Sequence, residues 1–508
     1  MANSISGAAL AVLIMNLLAK ILGFVREMLM ARVFGANMYT DAYVTAYTIP
    51  YFVQSILGAA LVTVTVPILT KYLVEKNREE ASLVTDYFIN FTGLIMFVFC
   101  AAGLLAAPLL VKMTAPWYDA ETAQLAVELT RIIFPTVIFM AIGQVLAGVL
   151  NANRRFLAPA FAPGFCSIII ILVLLTVGDH YGIHGLAFAT VLGFIAYFLL
   201  LVVPSLRVGY RYRPRVSLHH PDVRAALAMV IPIVVGTSVN QIYYILNRFF
   251  ASGLAEGSIT ALNYASKLIN FPNGVFVAAI AVAVYPSFTE FALKGERERL
   301  GRSLQSGMGA VMLMTVPAAV GMMVLRVPIV QLLFEDGAFT AAHTLLTSSA
   351  VFWYALGLFP LAAVLVLLKV FYAFGDVKTP IYAAIAAIAV NIAVSLLTIG
   401  SMAHDGLALA NSVAAFANMF FFYAMLKRYL PGHRLWPYFC SFLRILAAAL
   451  LMAAAVYGTE LLLRGSTPFV VVAAGLCVGI VVYLGIACVA RFPEMVFIVD
   501  KLKSKLRH

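Results

Sequence analysis

Charge is what this chain has least of. Asp, Glu, Lys and Arg make up 11% of its 508 residues, hydrophobic residues 63%, and the mean hydropathy is +0.99. A soluble domain carries roughly 25% charged residues, so a water-soluble enzyme and a nucleic-acid-binding domain are both excluded. Cysteine is scarce: Cys100, Cys166, Cys440, Cys477 and Cys488 all fall in apolar runs at no metal-ligand spacing, which excludes a disulfide scaffold or a cysteine-based metal centre. His180, His184, His219 and His220 fall in pairs on opposite membrane sides and make no metal site. Long polar stretches are missing as well, so no loop can hold the extramembrane domain of a glycosyltransferase. A basic leader is also absent before the first apolar stretch, and no cleavable signal peptide is expected.

What is present is apolar sequence in blocks of spanning length. About 20 residues cross a bilayer as a helix, and such blocks recur about fourteen times, near 8–34, 38–69, 83–111, 122–150, 158–178, 185–206, 224–252, 257–288, 304–325, 342–373, 380–400, 406–427, 437–463 and 467–490. Barrel strands of ~10 alternating residues do not give continuous blocks. The expected fold is therefore an all-α polytopic membrane protein.

The net charge of +12 is distributed by side. Lys71, Lys76, Arg78, Arg154, Arg155, Arg207, Arg211, Arg213, Arg215, Lys294, Arg297, Arg299, Arg302, Lys378, Lys427, Arg428, Arg434 and the tail from Arg491 to Arg507 occupy even-numbered loops or the C-terminus. Odd-numbered loops hold only Lys112, Arg326 and Arg464. The positive-inside bias puts both termini in the cytoplasm, with some of the basicity available to acidic lipid head groups.

The chain also repeats. A shift of 222 carries Arg26 to Arg248, Gly35 to Gly257 and Pro50 to Pro272; a shift of 221 carries Pro159 to Pro380, Gly185 to Gly406 and Arg207 to Arg428. Two copies of a six-helix unit follow, and because six is even the copies are parallel, with a binding site expected at their interface. The domains are 1–206 (spans 1–6), a cytoplasmic linker 207–222, 223–430 (spans 7–12), and 431–508, two extra helices with a basic tail.

Polar residues inside the spans form stripes. Asp41, Thr45 and Thr48 share one helical face, and the repeat offset returns Asn263, Lys267 and Asn270. Span 7 adds Thr237, Gln241, Tyr244 and Arg248; span 1 adds Asn16, Lys20, Gly23 and Glu27, with Arg26 turned about 100° away unless the helix bends near Gly23. Ionisable groups at this depth cost several kcal/mol unless they face a partner or water. Lys20, Arg26, Arg248 and Lys267, with Glu27 and Asp41, are read as lining one net-positive central cavity suited to an anionic cargo, since the guanidinium fork matches phosphate oxygens. Pairing of Arg26 with Glu27 is disfavoured here because i, i+1 neighbours do not face each other.

The runs Leu22 to Glu27 (LGFVRE), Ala31 to Ala36 (ARVFGA), Thr40 to Tyr43 (TDAY), Val66 to Leu69, Asn151 to Pro159 (NANRRFLAP), Phe271-Pro272, Phe334 to Phe339 (FEDGAF) and Asp376 to Pro380 (DVKTP) resemble the MurJ (MviN) family of lipid II flippases. That family sits within the multidrug/oligosaccharidyl-lipid/polysaccharide exporter superfamily. The resemblance implies two lobes around a cationic cavity, alternating access, and transfer of undecaprenyl-pyrophosphate-linked peptidoglycan precursor to the outer leaflet of the cytoplasmic membrane. It also implies a lipid-tail groove on the last two helices. Arg26 and Asp41 fall on family cavity positions; Lys20 and Lys267 stand where arginine is usual, Gln54 where many members have arginine, and Asn270 where many have glutamate. No cofactor is implied. The driving force is membrane potential or a sodium or proton gradient, with Asn240, Asn391, Ser395 and Asn411 as candidate sodium ligands in the second lobe. A monomer with a glycolipid partner, in the bilayer and without nucleic acid, is expected. A flippase for another polyprenyl-linked oligosaccharide, such as an exopolysaccharide or teichoic acid precursor, satisfies the same physical argument. A cation-coupled multidrug antiporter needs an acidic cavity, so its sign is wrong.

Overall fold

The computed structural model describes residues 2–494 except 216, 218, 219 and 433. Among these, the side chains of 2–9, 59, 177–180, 227, 231, 232, 235–241, 243, 244, 275, 276, 278 and 279 fall outside the description. The described chain is helical throughout: α1 (Ala2–Phe34), α2 (Met38–Val74), α3 (Arg78–Thr114), α4 (Ala120–Ile133), α5 (Thr136–Ala152), α6 (Leu157–Arg207), α7 (Pro221–Ala251) and α8 (Ser258–Pro272). A π-helical turn at Asn273–Val277 leads into α9 (Ala278–Leu293), α10 (Arg297–Val324), α11 (Arg326–Phe334), α12 (Ala341–Leu356), α13 (Leu358–Ala373), α14 (Lys378–Leu426), α15 (Trp436–Leu462) and α16 (Pro468–Val489). In hydrocarbon every backbone amide must bond within its own segment, and helices do this.

Nine helical stretches of the described residues are long and apolar enough to cross a bilayer, or ten if the bent pair α12 and α13 is one span. The sequence leads one to expect about fourteen. The difference has identifiable sources. The 49-residue helix α14 breaks at Ala403 (φ 48, ψ -127), so it is two helices joined across a kink, and the expected spans 380–400 and 406–427 lie on either side of the break. Helices α1, α7 and the broken α8–α9 segment each contain residues whose side chains fall outside the description.

Contacts divide the chain into two units, one of residues 1–260 with Gly337–Phe339, the other of Ala261–Asp336 with Thr340 onward. In the first, α1 packs on α6, and α2 packs on α4, α5 and α7. One of its cores joins Val64, Ile68 and Leu69 of α2 to Val84 and Phe88 of α3 and to Val223 and Ala226 of α7. In the second, α10 packs on α13 and α15, and α15 on α16, around Leu304, Met308, Val366, Phe371, Ile445 and Ala449.

Several left-handed residues recur at about the expected repeat spacing: Gly35 and Gly257 lie 222 apart, Lys76 and Gly295 219, Arg154 and Gly375 221, Gly182 and Ala403 221, and Gly209 and Gly432 223. Where one copy keeps a side chain and the other has glycine, the side chain is strained, because left-handed φ costs an L-residue roughly 1–2 kcal/mol. Ala403 (φ 48) carries no polar group to compensate. Ala403→Gly is expected to raise stability by about 0.5–1 kcal/mol, the relief of strain less the entropy glycine adds to the unfolded chain, read as a higher melting temperature in detergent.

Candidate functional site

The turn between α1 and α2 sets the first polar cluster. Gly35 (φ 72) ends α1, and Asn37 caps α2, its side-chain oxygen accepting from the Tyr39 and Thr40 amides while the Thr40 hydroxyl accepts from the Asn37 amide. This reciprocal box fixes Asp41 in the first turn of α2. The Asp41 side chain is buried, at 4% exposure. Its Oδ2 accepts from the Gly257 amide at 2.8 Å, and its Oδ1 accepts from the Thr260 amide at 2.8 Å and the Thr260 hydroxyl at 2.6 Å. Asp41 therefore caps the N-terminus of α8, where free amides and the helix dipole favour a carboxylate.

Arg248 closes the same cluster. Its Nη1 donates to the Ile259 carbonyl at 3.1 Å, and its charge acts on Asp41. The sequence shows no acid in the Arg248 stripe; the fold supplies one from α2. The approach is close at Gly257, where φ is +80° and a Cβ would lie 2.3 Å from the Ala36 carbonyl oxygen. Both facts oppose a side chain. Gly257→Ala is expected to cost about 2–4 kcal/mol from strain and displaced backbone, seen as a lower melting temperature and lower yield of folded protein.

The rest of the Asp41 stripe is also engaged. The Thr45 hydroxyl meets the Tyr118 hydroxyl at 2.7 Å, the Tyr118 hydroxyl donates to the Asp41 carbonyl at 3.0 Å, and the Thr48 hydroxyl donates to the Val44 carbonyl at 2.7 Å. Just before α4, Asp119 accepts from the Glu121 and Thr122 amides and the Thr122 hydroxyl, and the Thr122 bonds hold its carboxyl below the usual carboxylate range.

A second cluster surrounds Arg26. Its Nη2 donates to Glu27 Oε1 at 2.7 Å, with Glu27 5% exposed and Arg26 21% exposed. The expectation that these neighbours do not pair is corrected here. The i, i+1 rule concerns the directions of Cβ atoms, and a guanidinium on a long stem reaches around the helix. Beside the pair stand Tyr43 and Tyr47, both within the electrostatic reach of Arg26. Rings 43 and 47 stack at 6.3 Å, rings 47 and 51 lie 5.9 Å apart, and the Tyr43 hydroxyl meets the Thr190 hydroxyl at 2.7 Å. The tyrosine ladder was missed in the sequence, although its i, i+4, i+8 spacing along α2 is the signal that could have found it.

One turn further, Tyr51 and Gln54 open onto a cavity of about 360 Å³ also lined by Ser55, Gly58, Val62, Thr63 and Gln144. It continues the ladder as an open pocket of the first unit, in which Gln144 of α5 joins the α2 residues. On α1, Lys20 is exposed. In the second unit, Lys267 is half-buried and the exposed Asn270 donates its amide to the Ser266 hydroxyl at 3.1 Å. Gln241 and Asn240 lie outside the residues whose side chains are described, as do Thr237 and Tyr244.

For a coupling ion, Asn391 and Ser395 sit one turn apart on α14, both fully buried, and among the described residues neither the Asn391 amide nor the Ser395 hydroxyl has a hydrogen-bond partner. Asn411 donates to the Tyr354 hydroxyl and the Leu407 carbonyl, each at 3.1 Å. Buried polar atoms are ordinarily bonded, so orphaned oxygens at 391 and 395 fit a hard cation, while no group of three or more His, Cys, Asp or Glu side chains gathers among the described residues.

Comparison with known proteins places this geometry in a family. The family model described as "Lipid II flippase MurJ" matches residues 30–474. The lipid II flippase MurJ of Burkholderia cenocepacia is 29% identical over 453 residues, covering 86% of this chain and 87% of that protein. The probable lipid II flippase MurJ of Rhizobium tropici is 30% identical over 458 residues, covering 87% and 83%. A solved lipid II flippase MurJ in an inward closed conformation superposes with a TM-score of 0.81 at 25% identity, covering 94% of this chain and 97% of that one. An inward-facing multidrug resistance MATE transporter of the MOP superfamily shares the fold at a TM-score of 0.62 and 16% identity, covering 82% and 96%. With a family match across nearly its whole length and polar clusters embedded in its membrane helices, this chain belongs to the MurJ family of lipid II flippases, multi-pass transporters of the inner membrane.

Proposed function

We propose that this protein moves lipid II, a peptidoglycan precursor on an undecaprenyl-pyrophosphate carrier, from the inner to the outer leaflet, by alternating access through a cationic cavity. The reading rests above all on the family match over residues 30–474. The physics supports it. A pyrophosphate cannot cross hydrocarbon unaided without losing its solvation, and fixed guanidinium and ammonium groups replace part of that shell.

In this reading Arg26, presented by Glu27 and the tyrosine ladder, is the principal phosphate contact, with Lys20, Arg248 and Lys267 adding charge and Gln54, Gln241 and Asn270 adding hydrogen bonds. Asp41 holds α8 and thereby one end of the pathway. The protein works as a monomer with both termini in the cytoplasm. A cation held by Asn391, Ser395 and Asn411, with Asn240, couples the cycle to a sodium gradient; transport that continues unchanged when choline replaces sodium ends that part of the proposal.

The test is rescue of a strain depleted of its own lipid II flippase. Growth restored by this gene, and lost with Arg26→Ala, is the expected result. Failure to rescue despite normal membrane abundance would favour another polyprenyl-linked oligosaccharide as cargo.

A further inference from the structure

The arginines of the segment between α6 and α7 are held in place more firmly than a loop requires. Arg207, Arg211, Arg213 and Arg215 occur with no acid before Asp222. Residues 210–215 lie along α3, fastened by side chains. The Tyr210 hydroxyl donates to Asp86 Oδ1 at 2.7 Å, the Arg213 amide donates to the same oxygen at 3.1 Å, the Tyr212 hydroxyl donates to Asn90 Oδ1, and the Asn90 amide donates to the Arg215 carbonyl at 2.8 Å. The two tyrosines are turned to α3, Arg211 lies between them, and Arg213 and Arg215 flank a tight turn at Pro214, closed from the Arg215 amide to the Arg213 carbonyl at 2.8 Å. All three arginines are exposed. Among the described residues none of them is in an ion pair.

Depth decides what such a row meets. Helix α3 has no charged residue between Tyr87 and Val111, a length of ~37 Å at 1.5 Å per residue, slightly more than the ~30 Å hydrocarbon core. Asn90, which pins the strap, lies at the start of that stretch. The row therefore sits at the level of the cytoplasmic head groups, where clustered basic residues meet anionic lipid. At the repeat offset of 221 the second copy keeps Arg428 and Arg434 opposite Arg207 and Arg213 but has Gly432 opposite Arg211 and Trp436 opposite Arg215, so the full row at 211, 213 and 215 belongs to the first copy.

We propose that the strap is a binding site for the phosphodiester head of an anionic phospholipid of the inner leaflet, with Arg211, Arg213 and Arg215 as its donors and Asn90, Tyr212, Tyr210 and Asp86 as the groups that hold them in register. Guanidinium forks presented from a fixed backbone give phosphate oxygens paired donors at little ordering cost.

The experiment is thermal unfolding of the full-length protein in neutral detergent, titrated with phosphatidylglycerol and, separately, with phosphatidylcholine. Phosphatidylglycerol is expected to stabilise the wild type and phosphatidylcholine to do far less. In R211Q/R213Q/R215Q the half-saturating phosphatidylglycerol concentration should rise on the order of 100-fold, three lost cations at the membrane surface. N90A/Y212F keeps every charge but frees the strap, and should weaken binding several-fold; K294Q/R297Q/R299Q removes as many cations elsewhere and should leave it unchanged. Wild-type titration by N90A/Y212F, or equal loss in the control variant, would overturn the site, and native mass spectrometry of bound lipid reads the same comparison if the triple variant unfolds. Full stabilisation by inorganic phosphate alone would overturn the assignment to lipid.

Discussion

Arg26→Ala is expected to lower lipid II transport on the order of 10- to 100-fold, the loss of one charged hydrogen-bond donor set worth about 1.5–3 kcal/mol at the cargo. The substitution has a second consequence. Glu27 is buried against Arg26, and removing one partner of a buried pair is destabilising by about 3–5 kcal/mol, so the single variant also loses folded protein. Two companions separate the effects. Arg26→Ala with Glu27→Gln removes both charges of the pair and should recover membrane abundance without recovering transport. Arg26→Lys keeps the charge without the fork and should fall between. Normal transport by the double variant would show that Arg26 serves only to neutralise Glu27. Initial flipping rate per folded molecule is the quantity to compare.

Asp41→Ala is expected to have the larger effect on the fold. The carboxylate accepts three bonds from Gly257 and Thr260, and losing them uncaps the start of α8 and removes a charge that interacts with Arg248. A cost of about 3–5 kcal/mol follows for a buried group of this kind. Asp41→Asn keeps one oxygen for the Thr260 donors but turns an amide N–H toward the Gly257 amide, so it should recover only part. Thr260→Val removes a single charged bond and should cost about 1.5–3 kcal/mol. The order of melting temperatures, wild type above Thr260→Val, then Asp41→Asn, then Asp41→Ala, checks the assignment; an Asp41→Ala protein as stable as wild type would refute it.

Much of this was legible in the chain. Apolar blocks announced a helical membrane protein because hydrocarbon tolerates little else, and the described chain is all-helical. The polar stripe on α2 was visible too, since Asp41, Thr45 and Thr48 obey helical spacing. Its destinations were not. Tyr118, Gly257 and Thr260 are far along the chain, and nothing local says that an acid in one helix will cap another. Arg248 read as unopposed for the same reason. Tyr43, Tyr47 and Tyr51 were overlooked because tyrosine in a membrane helix passes for apolar bulk until a cation stands beside it. Helix α7 counts with the second half by repeat, yet it packs on α2 and α3; covalent duplication and packing are separate properties, and only the first is periodic in sequence.

The central claim is that lipid II crosses the membrane through this protein with its phosphates met by Arg26. It is tested most directly in vesicles containing the purified protein and lipid II, by following how much lipid II becomes accessible to an enzyme added on one side. Wild-type protein should expose the opposite-leaflet pool, and Arg26→Ala with Glu27→Gln should not. No movement with folded wild-type protein, or equal movement with the double variant, would contradict the account.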